Sequence, residues 1–405
     1  MLAERIRHAR LAAGLTLDEV VERLAGVGVT ITKAGLSKYE LAKSTPGAAF
    51  LLKLGRTLGV PSSYFLREPE LQIQWVAFRK KSSLTRTHQE QIKAVVEDRA
   101  EGQFWLQTTL DAEWSPAGQI RVPAETLADA ENAAGLLRKS WKLDDLPIES
   151  ITEVVEDRGG IVIGYEDESD HFDGLSGWIN GSIPLAAVNT SVPDDRRRYN
   201  LAHELGHMVM VCDKADEKAQ EQLAHRFAAA FIVPPQVARR ELGTRRRQLA
   251  LAELGPLKQK YGLSMQAWAR RALDLNIIDD GHYRTLCTEF ARRGWRKREP
   301  VQYSGRETPV KLKQLTLRAL AEGIITPEKA GQLCPECFAG IELMLTPAPT
   351  RHLSACELRS MPAEKRDQHM ALAAAEAEVD YRTHAALTDF EAFAEEEDYD
   401  SADAE

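Results

Sequence analysis

The chain of 405 residues has little that points to a membrane or to secretion: only five cysteines, and no apolar run near the length of about 18 residues that a spanning helix requires. Its first ten residues, MLAERIRHAR, have no apolar core, so we expect no signal peptide. An odd number of cysteines without an export signal favours a reducing compartment over a disulfide framework. These absences predict a cytoplasmic protein with no membrane partner.

Positive charge is also scarce, with 52 Lys and Arg against 61 Asp and Glu and a formal net charge of -9. The deficit lies in residues 388–405, which hold nine acidic residues and no Lys or Arg. Residues 1–68 instead carry ten Lys and Arg and six Asp and Glu. We expect a disordered acidic tail and a mildly basic head that can approach a polyanion.

The head has the pattern of several short helices. Apolar spacing predicts a first helix over residues 2–13, and Thr16 with Glu19 forms a capping box for a second. Thr32 opens a third helix, TKAGLSKYE, and a fourth covers residues 48–58. Two short helices joined by a glycine turn, the second rich in Lys, Ser and Tyr, are typical of a helix-turn-helix.

These residues resemble the Cro/repressor-type (XRE) helix-turn-helix family, over RLAAGLTLDEVVERL and ITKAGLSKYELAKSTPGAAFLLKLGRTLGV. The resemblance implies a recognition helix over residues 32–40, with DNA contacts from Thr32, Lys33, Ser37 and Lys38. It also implies a homodimer on a two-fold double-stranded operator. Five extra turn residues, GVGVT, leave the register of the base-reading side chains open. A bundle that docks a protein instead of DNA is the alternative.

The strongest chemical signal is the string HELGH at residues 203–207. His203 and His207 are four residues apart, so on a helix both imidazoles can reach one zinc ion. Glu204 then lies beside the ion as a general base. Two histidines satisfied within a core are the alternative interpretation. Three downstream residues could complete the ligand set by their helical spacing: Glu217, Glu221 and His225.

The strings RYNLAHELGHMVM and EQLAHRFAAAFIVP resemble the ImmA/IrrE family of zinc metallopeptidases. The resemblance implies Zn as cofactor and Glu221 as the third ligand. His225 stands where that family usually has Asn, which leaves it as an alternative or assisting ligand. Family targets are transcriptional repressors of stress or mobile-element genes, so a repressor is the implied protein substrate.

The segment before the motif predicts three strands, over residues 160–164, 173–179 and 186–189. We expect the second, DGLSGWI, to be a sheet edge on which an extended peptide substrate adds. Arg196, Arg197 and Arg198 follow it. They could hold acidic substrate side chains, but a solvated approach to the metal helix is the interpretation we favour.

The C-terminal third carries weaker signals. Cys334, Cys337, His352 and Cys356 have the residue types of a second, structural zinc site, although plain reduced cysteines are the favoured interpretation. Residues 361–393 predict helices that weakly resemble those of small antitoxins. They bind a partner protein on one interpretation and form a solvated cap on the other.

Together these features predict an α+β, mostly helical protein. We expect a helix-turn-helix domain over residues 1–68, a linker and spacer helix over 69–125, and a zincin-like peptidase domain with a small mixed sheet and the HExxH helix over 126–301. A helical region over 302–387 and the tail over 388–405 follow. The expected function is a DNA-binding transcriptional regulator whose zinc endopeptidase cleaves a specific protein. The alternative is a non-proteolytic repressor or antitoxin-like regulator that uses the metal domain as sensor or scaffold.

Overall fold

The computed structural model describes residues 1–67, 71–80, 84–111, 114–116, 120–167, 169, 171–296, 298–334, 361–363, 366–367 and 370, without the side chains of 77–80 and 328. Residues Met1–Pro335 form one compact unit and Glu336–Glu405 another. All elements named below belong to the first unit.

The N-terminal head is a bundle of four helices. They are α1 (Leu2–Ala12), α2 (Leu17–Gly26), α3 (Lys33–Glu40) and α4 (Ala48–Leu58), and a 3₁₀ turn follows at Ser62–Leu66. The capping box of Thr16 and Glu19 is present, and Thr32 caps α3 by accepting a hydrogen bond from the Gly35 amide. Apolar residues of all four helices meet in one core, so the predicted helix-turn-helix bundle is confirmed.

A four-stranded mixed sheet forms the middle of the molecule. Its strands are β1 (Ile73–Lys80), β3 (Ile161–Tyr165), β4 (Phe172–Ile179) and β5 (Ile183–Asn189), in the order β1-β4-β5-β3. β3 and β5 are parallel, and the other two pairs are antiparallel. A short parallel pair joins β2 (Val122–Pro123) to β6 (Met210–Val211).

The prediction that residues 173–179 form a sheet edge is wrong, because β1 pairs with β4 along its length and β5 covers the other side. β1 comes from the segment expected to be a linker and spacer helix. Its sequence, IQWVAFRK, contains the β-branched and aromatic residues that favour strands. The edges of the sheet are therefore formed by β1 and β3.

Helices cover both faces of this sheet. On one face lies α5 (Arg86–Leu110), whose buried Ile92, Val96 and Ala100 recur every four residues and pack against strand residues such as Ile161 and Ile163. The spacer helix is thus part of the core. The intervening Val162 faces the opposite layer, which contains α8 (Asp194–Val209) and α9 (Glu217–Ile232).

The remaining helices surround these layers. They are α6 (Leu127–Ser140), α7 (Ile151–Asp157), α10 (Pro235–Leu242), α11 (Leu251–Tyr261), α12 (Met265–Asp274), α13 (Asp280–Arg292), α14 (Lys311–Ala321) and α15 (Pro327–Leu333). α14 and α15 pack against α5 through a separate apolar cluster. The mostly helical α+β prediction is confirmed, and no described helix is long and apolar enough to cross a bilayer.

Ion pairs connect α1 of the head to α5. Arg5 donates to both carboxylate oxygens of Glu101, at 3.1 and 3.2 Å, and Arg7 reaches Glu90 at 2.8 Å. Because α5 also packs on the sheet, these contacts connect the head to one face of the sheet, and α8 lies on the opposite face.

The expectation that Arg196, Arg197 and Arg198 form a solvated approach is wrong for Arg197 and Arg198, which are buried, whereas the Arg196 side chain is 39% exposed. Arg198 is fully buried and donates to the equally buried Glu307 at 2.5 Å. Arg197 is also buried and donates to the carbonyls of Thr190 and Val192. Arg196 pairs with Asp173 at 2.7 Å. These arginines anchor the start of α8 because they satisfy carbonyls and carboxylates that would otherwise be buried without partners.

Glu156 on α7 gives the fold a specific pH dependence. Burial raises the pKa of its carboxyl from near 4.5 to about 8, against a smaller lowering by Lys311. The bound proton stabilises the folded state at low pH. This contribution to the free energy of unfolding is lost as the pH rises from 4.5, the ordinary pKa of the group, through about 8, its pKa in the folded state. Urea titrations should show that the free energy of unfolding falls by roughly 2–3 kcal/mol between pH 6 and pH 9 because of this group. Glu156→Gln should abolish this fall. The exposed Glu153→Gln on the same helix is the control. Equal losses in all three proteins would contradict the assignment.

Candidate metal centre

The metal helix α8 carries His203 and His207 on one face. Their Nε2 atoms lie 3.0 Å apart, as the four-residue spacing leads one to expect. His203 is fully buried, and the side chain of His207 is 9% exposed. The face therefore opens to solvent at the His207 end.

The second helix, α9, brings Glu221 to the same point. Its carboxylate oxygens lie 3.3 Å from Nε2 of His203 and 3.2 Å from Nε2 of His207. Gly206 allows this approach, since a Cβ there would lie 3.1 Å from the Phe227 ring and 3.3 Å from the Ala224 Cα. A larger residue at position 206 would push α9, and Glu221 with it, away from the histidines.

One ligand atom from each of His203, His207 and Glu221 lies within 4.8 Å of the others. Hydrogen bonds from His203 and His207 hold the pKa of the Glu221 carboxyl well below its ordinary value, so this ligand is anionic. Two imidazole nitrogens and one carboxylate form the donor set of many catalytic zinc sites, which keep a fourth position open. The residues present therefore fit a zinc ion.

Glu204 is positioned by the sheet. It is fully buried, and its Oε2 accepts a hydrogen bond of 2.6 Å from the hydroxyl of Ser176 on β4. A Cβ at Gly174 would lie 2.8 Å from Oε1 of Glu204, so only glycine fits there without displacing the carboxylate. Sequence reasoning missed both contacts of β4, since it predicted this strand only as a sheet edge.

The structure separates the alternative third ligands from the cluster. Glu217 is exposed in the first turn of α9. His225 lies close to the site, with its ring 4.5 Å from that of His203, but its Nδ1 is 3.2 Å from the hydroxyl of Tyr199. Among the described residues, the group whose ligand atoms converge consists of His203, His207 and Glu221, and it includes neither Glu217 nor His225.

The four residues predicted to contact DNA lie on or beside α3. Lys38 is exposed and Ser37 is half-buried. Lys33 pairs with Asp18 of α2 at 2.6 Å, and Thr32 caps the helix. Lys33 and Lys38 are both exposed cations of this helix, but Lys33 would have to exchange Asp18 for a phosphate to bind DNA.

Of the residues considered for a second zinc site, Cys337, His352 and Cys356 lie outside the described residues. Cys334 is buried and disulfide-bonded, so it is not the reduced thiol that was expected. A disulfide sulfur is not a zinc ligand, and a second site would require its reduction. The predicted helices over residues 361–393 and the acidic tail also fall outside the described residues, apart from a few positions.

The fold and the site define a helix-turn-helix head joined to a domain with a metallopeptidase-type ligand set. Comparison with family models agrees: residues 157–273 match the peptidase family described as the IrrE N-terminal-like domain, and residues 6–65 match the helix-turn-helix model. The chain thus has the layout of a DNA-binding helix-turn-helix followed by an ImmA/IrrE-type metallopeptidase domain. A comparison with curated proteins finds no match.

Proposed function

We propose that this protein is a cytoplasmic DNA-binding regulator whose zinc-dependent endopeptidase cleaves one specific protein, such as a transcriptional repressor in stress or mobile-element control. The observation that carries the proposal is the convergence of His203, His207 and Glu221, with Glu204 held beside them by Ser176. The helix-turn-helix head supports binding to an operator, and two-fold symmetric operators favour a homodimer.

The roles of the residues follow from their chemistry. Zn²⁺ bound by His203, His207 and Glu221 would supply a Lewis acid that polarises a carbonyl group and acidifies a water molecule. Glu204 accepts the proton of the water that adds to the scissile carbonyl carbon. It then donates this proton to the leaving amine as the C–N bond breaks. The Ser176 hydroxyl orients the Glu204 carboxylate, so the base is already positioned before the peptide binds.

A cell-wide comparison of protein N-termini tests this function. Cells that express the wild-type chain should contain a small number of new N-termini that are absent from cells with Glu204→Gln at equal expression. The proposal requires one or a few cleaved proteins. Identical N-termini in both strains would contradict it and favour the alternative, a non-proteolytic repressor or antitoxin-like regulator in which the metal domain is a sensor or scaffold.

DNA binding depends in this proposal on Lys38, an exposed cation of α3. Lys38→Ala should weaken operator binding and lower the slope of log K against log salt by about 1, because one phosphate contact is lost. Lys139→Ala, an exposed lysine on α6, is the matched control and should change neither quantity. Equal slopes for wild type and Lys38→Ala, measured by fluorescence anisotropy at several salt concentrations, would remove Lys38 from the interface.

A further inference from the structure

A cleft of about 400 Å³ opens beside the metal centre and is bounded by His207. Its volume lies in the range of roughly 300–1,000 Å³ that is typical of sites for small ligands. Because His207 is at once a candidate zinc ligand and a wall of this cleft, a group placed here is adjacent to the reacting atoms. The cleft is therefore a candidate for the part of the site that recognises substrate.

The inner wall of the cleft is apolar. Trp178 is 5% exposed, Met208 is 3% exposed and Met210 is 6% exposed, and all three line it. The rim is polar: the Arg121 guanidinium lies 4.8 Å from the centre of the Trp178 ring, and Asp213 is exposed on the rim. An apolar wall that faces polar groups is suited to a hydrophobic side chain on a polar backbone.

The outer wall comes from β1 and is shaped by an irregularity in its pairing with β4. Trp75 pairs with Gly177 and Ala77 pairs with Ser176, so Val76 between them is an extra residue. Such bulges redirect side chains and are common beside active sites. The Trp75 indole donates to Glu97 of α5 at 3.2 Å. Trp75 and Val76 both line the cleft, and Val76 is 46% exposed. A large apolar side chain thus stands open to solvent next to the strand that orients Glu204.

We propose that this cleft binds a large apolar side chain of the peptide substrate, such as Leu, Met or Phe, in a residue adjacent to the bond that is cut, and that Val76 determines this specificity. The inference rests on the proposed function and adds the class of substrate side chain. The occupant is a peptide segment, since His207 belongs both to the wall of the cleft and to the candidate metal centre. Val76 lies outside residues 157–273, so the segment between the head and the peptidase domain contributes to substrate choice.

The test measures binding without turnover. The zinc-loaded full chain is titrated by calorimetry with N-acetylglycine hydroxamate and N-acetylleucine hydroxamate, which share the metal-binding group and differ in the side chain. We expect the leucine compound to bind at least about tenfold more tightly to the wild type, since the gain from a small apolar group in a pocket is of this order. Val76→Asp should reduce that ratio to near one and leave binding of the glycine compound unchanged.

Val27→Asp is the matched control, because Val27 is a valine of similar exposure (50%) in the head. It should retain the wild-type ratio, and Val76→Ala, a milder change, should give an intermediate ratio if Val76→Asp fails to fold. The inference would be overturned if the two compounds bound the wild type with equal affinity, or if both Val76 variants kept the wild-type ratio of the two affinities. Neither result would contradict the metal centre. Failure of both compounds to bind the wild type would instead overturn the metal centre, and the inference with it.

Discussion

Replacing Glu204 with glutamine is expected to lower the rate of peptide cleavage at least about 100-fold while zinc content and folding stay as in the wild type. Glutamine keeps the size of the side chain, and its carbonyl oxygen can still accept the hydrogen bond from Ser176. It cannot take a proton from water near neutral pH, so the loss is confined to proton transfer. The measurement is kcat/KM on the protein identified by its new N-terminus, together with metal content and thermal unfolding of both proteins.

Glu217→Gln is the matched control for this change, because it is the same substitution on an exposed residue at the start of α9. Its cleavage rate should equal that of the wild type. Cleavage by Glu204→Gln at the wild-type rate would show that Glu204 is not the base. If Glu204→Gln repressed transcription from the operator to the same extent as the wild type, repression would not depend on peptidase turnover.

The second large effect is expected at Glu307, where substitution by alanine should lower the free energy of unfolding by about 3–5 kcal/mol. Glu307 is fully buried and accepts hydrogen bonds from Arg198 and from the amides of Ile151 and Thr152, the latter two at 3.0 Å. Alanine leaves the Arg198 charge buried without its carboxylate. It also leaves the Ile151 and Thr152 amides at the start of α7 without their acceptor. Because α7 contacts α8, stability and metal affinity should fall together.

A double-variant cycle separates the ion pair from the general cost of substitution. Arg198→Met combined with Glu307→Leu should cost clearly less than the sum of the two single changes, because no uncompensated charge remains. The exposed pair Arg318 and Glu322, 2.7 Å apart on α14, is the control and should contribute at most about 1 kcal/mol. A loss of under 1 kcal/mol for Glu307→Ala, measured by urea unfolding, would contradict the buried-pair interpretation.

The features that sequence predicted well are those encoded over a few residues. The capping box of Thr16 and Glu19 spans four residues, and the spacing of His203 and His207 is one helical turn. Such patterns determine local geometry wherever the helix lies in the fold. The placement of Glu221 came from a resemblance between sequences, because helical spacing alone left Glu217 and His225 as equal alternatives.

The features that sequence missed depend on pairing between distant segments. β1 joins β4 across about a hundred residues of chain, and Glu307 meets Arg198 from 109 positions away. Arg198 belongs to a charged run that has the composition of a solvated surface, and its burial is stable only because the distant Glu307 pairs with it. The same holds for Ser176, whose role depends on which strand lies beside Glu204.

Metal content of the purified full chain, by elemental analysis, tests the central claim most directly. We expect one zinc per chain in the wild type, in Glu217→Ala and in His225→Ala, and loss of zinc in His203→Ala and in Glu221→Ala, with all five proteins folded. This pattern would establish the site and its third ligand together. A folded wild type without zinc, or zinc retained in both His203→Ala and Glu221→Ala, would contradict the metal centre and the peptidase function proposed from it.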